Sequence, residues 1–141
     1  VLFAVVATPA DDKKEAKPDP DLKKLQGKWR ISYHETAGED DTQDCVWEME
    51  VKGDTFTLTA DGTTTAGTIK LDSAKKPKEL EYTVEDSDTD EVTTFVGVYE
   101  LEGDTYKTCD VEKGKDARPT EFKTKSRTGQ VAVWKKVKIR D

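Results

Sequence analysis

The stretch WEMEVKGDTFTLTADG, residues 47–62, decides the fold. Trp47, Met49 and Val51 alternate with Glu48, Glu50 and Lys52, and Phe56 and Leu58 alternate with Thr55, Thr57 and Thr59. A period of two sends apolar side chains to one face of an extended chain and polar ones to the other. Gly53-Asp54 and Asp61-Gly62 are tight-turn pairs between such runs, so the segment reads as a meander of short antiparallel strands.

The same grammar extends both ways. Upstream, Trp29, Ile31 and Tyr33 alternate with Lys28, Arg30, Ser32 and His34. Downstream, strands are expected around Ile69 and Leu71, Leu80 to Val84, Val92 to Leu101, Thr105 to Asp110 and Val131 to Ile139. The Val92–Leu101 run is apolar on both faces, which implies cover on both sides or a curve at Gly97. Ahead of them all, Asp21-Leu22-Lys23-Lys24-Leu25-Gln26 predicts one helical turn, N-capped by Asp21 and ended by Gly27. Eight strands joined mostly by short turns hide two sheet edges best by closing. The expected class is therefore all-β, an eight-stranded antiparallel up-and-down barrel with a short N-terminal helical turn. A two-sheet sandwich is the alternative.

Charged residues make up 38% of the 141 and hydrophobic ones 33%, with a net charge of -7, so the core is thin. An acidic chain lacks the clustered positive charge needed to grip nucleic acid or an anionic membrane, and neither is expected as a partner. Residues 1–10, VLFAVVATPA, carry no charge and run from large apolar to small side chains, the pattern of a signal-peptide remnant; a buried strand or helix is the alternative. Ten residues are too few to span a bilayer as a helix, which takes about 20. Residues 11–20 read as a charged linker and 21–141 as the barrel domain, exported to the periplasm or the exterior.

Gly27-Lys28-Trp29 after a helical turn is similar to the lipocalin-type signature, and three longer runs are more specific: GTIKLDSAKKPKELEYTVED (67–86), GVYELEGDTYKTC (97–109) and RPTEFKTKSRTGQVAVWKK (118–136). On these the chain resembles an uncharacterised lipocalin-like family of small exported domains abundant in planctomycete-type bacteria, over about Leu22 to Lys136. The resemblance implies a lipocalin-like barrel in which Gly27 and Trp29 are structural and Trp29 closes the floor. It also implies a basic side chain from the last strand over that Trp, for which Lys135, Lys136 and Arg140 are the candidates. It implies no reaction.

Barrel order assigns the loops to ends. One rim receives Glu35, Glu39, Asp40, Asp41 and Asp44 from the first loop and Glu85, Asp86, Asp88, Asp90 and Glu91 from the fifth; the other receives Lys75, Lys76 and Lys78, with Lys23 and Lys24 nearby. The loops between strands one and two and between seven and eight are the longest, as expected of a mouth. An acidic mouth attracts cations and repels carboxylates, so a small neutral or cationic ligand is expected. Solvated loops that only confer solubility are the alternative. Inward candidates are Trp29, Ile31, Tyr33, Trp47, Met49, Phe56, Leu58, Leu80, Tyr82, Val84, Phe95 and Tyr99. Among them Trp47, Met49, Phe56, Tyr82, Phe95 and Tyr99 are the expected ligand-binding residues. A barrel of this size is either filled by its own side chains or holds one small ligand, so a filled structural or protein-interaction domain is the alternative.

Asp86-x-Asp88-x-Asp90 resembles the start of a calcium loop, but Glu91 and Gly97 stand where an EF-hand needs Gly and Glu. These three are only weak metal candidates, and no metal or cofactor is expected. Cys45 and Cys109, the only cysteines, both fall at the mouth and are candidates for a disulfide, two free thiols being the alternative. His34 is the only histidine, which excludes a multi-imidazole zinc site; it alternates to the face opposite Trp29 and is expected on the surface. No nucleophile elbow, phosphate loop or CxxC is present, so catalysis is not expected.

Overall fold

The computed structural model of the protein describes residues 19–86, 88–124 and 126–138. The signal-peptide reading of residues 1–10, the linker to residue 18 and Arg140 lie outside the described residues. Helix α1 (Pro20–Lys24) leads into β1 (Gly27–Thr36), β2 (Trp47–Lys52), β3 (Thr55–Ala60), β4 (Thr63–Asp72), β5 (Glu79–Glu85), β6 (Val92–Glu102), β7 (Thr105–Glu112) and β8 (Gln130–Lys136). Each strand pairs antiparallel with the next, and β8 pairs back onto β1. The sheet is a closed up-and-down barrel, as the alternation predicts. An extra two-residue strand, Glu39–Asp40, folds back on the end of β1.

The floor is built by α1. Asp19, not Asp21, caps the helix, its carboxylate accepting from the Asp21 N–H at 2.9 Å, because Pro20 already has the φ a first helical residue needs. Asp19 also accepts from the Ser73 N–H and hydroxyl, which ties the helix to the β4–β5 loop and brings it into the domain. Asp21 turns inward instead and accepts from Lys78 and from the Tyr99 hydroxyl, both at 2.9 Å. Trp29 is fully buried above it, with its indole N–H donating to the Leu25 carbonyl at 2.8 Å. Lys136 is the basic side chain over Trp29, its Nζ 5.3 Å from the ring centroid. Gly27 makes room for that lysine. Its φ is +113°, and a Cβ there would lie 3.2 Å from Lys136 Cε.

Two departures from simple alternation set up the rest of the molecule. In β1, Tyr33 pairs with Val133 while Ile31 pairs with Trp134, so Ser32 is an extra residue and makes a β-bulge. Its hydroxyl donates to the Val133 carbonyl at 3.1 Å. The bulge reverses inside and outside from that point: Trp29 and Ile31 pack into the core, whereas Tyr33 packs outside the wall with Val98, Cys109, Val131 and Phe122. The second departure is the β7–β8 connection. It does not crowd the mouth, because Arg118 donates to the Leu80 and Gly97 carbonyls at 3.0 and 2.9 Å and Phe122 covers the outer cluster, beneath Lys107. That cover explains why β6 is apolar on both faces. The wall is also tight there, since a Cβ on Gly97 would sit 2.0 Å from the Cys109 carbonyl oxygen.

Candidate ligand cavity and its buried polar chain

Above the floor the barrel encloses a cavity of about 440 Å³. It is within the range of small-molecule sites, and the filled-barrel alternative does not describe this interior. Met49, Phe56, Ile69, Tyr106 and Trp134 line it, with Trp47, Tyr82 and Phe95 on its walls and Asp86, Asp88 and Glu91 among the residues on its rim side. Tyr82 and Phe95 stack with centroids 5.0 Å apart, and Phe56 meets Tyr82 edge-on at 5.9 Å. Five of the six residues expected to bind a ligand therefore share one cavity. Tyr99 is the exception. It is buried in the floor, where its hydroxyl is committed to Asp21, because β6 runs down the barrel and carries it below the cavity.

One wall of this apolar space is polar. Asp110, only 2% exposed, accepts from the Tyr82 hydroxyl at 3.0 Å and from Gln130 Nε2 at 2.9 Å, both on the same oxygen. Burial pushes its carboxyl up to about 6, against the opposing hydrogen bonds from Gln130, Tyr82 and Thr108 and the charge of His34. Burial likewise raises the Tyr82 hydroxyl well above its ordinary value, with the Asp110 charge adding to it. Both phenols of the cavity, Tyr82 and Tyr106, are held neutral, and the wall offers one carboxylate among neutral donors.

The chain continues outward. Gln130 Nε2 also donates to the Tyr82 oxygen at 2.8 Å, so its Oε1 is turned to His34 Nε2, 3.0 Å away. His34 is 2% exposed rather than on the surface, because the Ser32 bulge turns it to the inner face. It meets the Trp47 ring edge-on at 4.4 Å. Its other nitrogen, Nδ1, is 2.7 Å from Asp41 Oδ1, and Thr36 donates to Asp41 Oδ2 at 2.7 Å. Partial burial raises the Asp41 carboxyl, but the His34 and Thr36 hydrogen bonds outweigh it and leave the group below the ordinary carboxylate value.

Asp110 and Gln130 were not singled out by sequence, and Asp41 was read only as one of the rim acids. A signal for Asp110 existed: it shares parity with Tyr106 and Thr108, so an inward carboxylate could be read from β7 alone. The chain through His34 had no such signal, since a bulge leaves the alternating pattern of its own strand unchanged.

The remaining expectations fall elsewhere. Cys45 and Cys109 are free. Cys109 is buried on the outer face under the β7–β8 segment, while Cys45 sits in the β1–β2 loop with its thiol donating to the Asp41 carbonyl at 3.4 Å. No disulfide joins them. Asp86 spends its carboxylate on the Asp88 and Thr89 N–H groups, at 2.8 and 3.3 Å, which closes the loop on itself. Asp88 and Asp90 do not join it in a converging donor set among the described residues. Comparison with protein-family models, curated proteins and solved structures finds no match to this chain.

Proposed function

We propose that the protein is a non-catalytic, exported, lipocalin-like carrier or sensor of a small cationic molecule with an apolar body. The observation that carries the reading is Asp110. A buried carboxylate whose hydrogen-bond partners are neutral is costly, and a ligand cation beside it recovers the lost solvation. Met49, Phe56, Ile69 and Trp134 suit an apolar body, while Asp88 and Glu91 at the rim favour entry of positive charge. A neutral ligand is accommodated by the same walls without using the carboxylate. Export is supported by the charge-free run at residues 1–10, and membership of the lipocalin-like family by the Gly27-Lys28-Trp29 signature at the barrel floor.

Trp47 and Trp134 line the cavity, so their fluorescence reports occupancy directly. Titration with octylamine, octanol and octanoate near pH 7.5 is expected to give saturable changes with octylamine tightest and octanoate weakest, and Asp110→Asn is expected to abolish the preference. Equal response to all three, or a preference for octanoate, contradicts the cationic reading. No response to any of them contradicts a carrier role for such chains, as does the recovery of ligand-free protein from its host by native mass spectrometry.

A further inference from the structure

The geometry points to a second site, outside the cavity: His34 Nδ1, an Asp41 carboxylate oxygen and Cys45 Sγ form a three-ligand site for one zinc-type divalent ion, with a fourth position open. The three donor atoms lie within 4.8 Å of one another. They combine one imidazole, one carboxylate and one thiol, and a borderline-soft ion such as zinc takes all three.

The surrounding structure holds these donors in place. The Asp41 N–H donates to the His34 carbonyl at 3.0 Å, the His34 N–H donates to Thr42 Oγ1 at 2.9 Å, and Thr42 Oγ1 donates to Asp40 at 2.7 Å. The short helix Thr42–Asp44 then delivers Cys45, whose thiol already meets the Asp41 carbonyl. The three ligands thus come from the end of β1 and the loop that folds back on it.

The hydrogen bonds of the polar chain decide which imidazole nitrogen faces the site. Tyr82 donates to Asp110, so its oxygen accepts from the Gln130 amide, and Gln130 Oε1 is left to accept from His34. Nε2 of His34 is therefore the protonated nitrogen. Nδ1 is then the ring nitrogen turned to the loop, 2.7 Å from the Asp41 carboxylate. An imidazole whose outer nitrogen is fixed as donor to an amide oxygen has the outer-shell arrangement typical of metal-bound histidine. Zinc bonds of about 2.0–2.1 Å to N and O place those donors about 3.3 Å apart, so the ion needs only a small opening of the pair. Binding displaces the thiol proton and the Nδ1 proton to solvent, and the ion replaces them as the positive partner of Asp41.

The test uses the whole chain, stripped with chelator and kept reduced. Cobalt(II) is expected to bind at one equivalent with a thiolate-to-metal charge-transfer band, and zinc to displace it. Cys45→Ser is expected to remove the band and to weaken zinc binding at least tenfold, the lower end of the ~10–100-fold seen for loss of a mere outer-shell partner. Cys45 is partly exposed, so that variant keeps the barrel, which circular dichroism checks. A wild-type protein with no thiolate band overturns the site. So does a band retained in Cys45→Ser, which would assign it to Cys109, or zinc affinity unchanged by that substitution.

Discussion

Asp110 sets a conflict between stability and binding at a single side chain. Its carboxyl titrates at about 6 in the folded protein against an ordinary 3.8. Below about pH 3 it is protonated in both folded and unfolded chains, and burial costs nothing extra. As pH rises from there, the unfolded chain loses the proton first, so folding stability declines until about pH 6 and stays lowered above it. Two units of pKa correspond to about 3 kcal/mol. Asp110→Asn is therefore expected to raise stability by about that amount near pH 7.5 and by almost nothing near pH 3, read by urea unfolding at both pH values. A gain that is the same at both pH values would mean the carboxylate is not the penalised group. The same substitution removes the charge that the proposed cation needs, which is how a functional site retains a destabilising residue. Trp29 is the opposite kind of residue, buried, hydrogen-bonded and under Lys136, and its place in the floor was legible from sequence because it precedes the bulge.

At the level of elements, the one-residue insertion at Ser32 decides what the inner wall contains. Within β1 the residues before it obey simple alternation and those after it obey the reverse, so Tyr33 and His34 could not be placed from pattern, while Trp47, Met49, Phe56, Tyr82 and Phe95, on strands without that shift, could. The backbone hydrogen bonds of a bulge are local, and nothing in the residue types of Arg30 to Tyr33 records them. Deleting Ser32 is expected to drive the phenol of Tyr33 inward and to expel His34 from its contacts with Asp41 and Gln130, since a shift of one residue exchanges the two faces. The expected loss is several kcal/mol, on the scale of a lost core contact together with a broken polar chain, about 3–5 kcal/mol. Ser32→Ala keeps the extra residue and forfeits only an exposed hydroxyl contact, about 0.5–1.5 kcal/mol. Thermal unfolding of the two variants separates register from chemistry: similar losses in both would mean that the bulge does not set the faces. The β7–β8 connection belongs to this scale too. Its length suggested a mouth loop, but length does not say which surface a loop lies on, and Arg118 and Phe122 bind it to the outer wall.

Across the whole molecule, acids gather at the open end of the barrel, while the floor pairs its charges. Asp86, Asp88 and Glu91 lie toward the open end of the cavity, with Asp40 and Asp41 on the neighbouring loop, while Lys78 closes on Asp21 and Lys136 on Trp29 at the floor. The acidic rim was legible from loop order alone, whereas the carboxylate inside had to be read from the parity of β7. The two sets of acids act at different stages of binding. Exposed rim charges act over roughly a Debye length, about 8–10 Å at physiological salt, and so bear on encounter. Asp110, within the wall and away from salt, bears on residence. Neutralising Asp88 and Glu91 together, as Asp88→Asn and Glu91→Gln, is thus expected to slow octylamine association by about threefold to tenfold at low salt, with dissociation unchanged and the difference shrinking as salt is added. Asp110→Asn is expected to do the reverse, speeding dissociation and leaving both association and its salt dependence as they were. Stopped-flow fluorescence from Trp47 and Trp134 follows both rates. If the rim pair altered dissociation as strongly as Asp110 does, the cation would be resting at the mouth, and the buried carboxylate would need another partner.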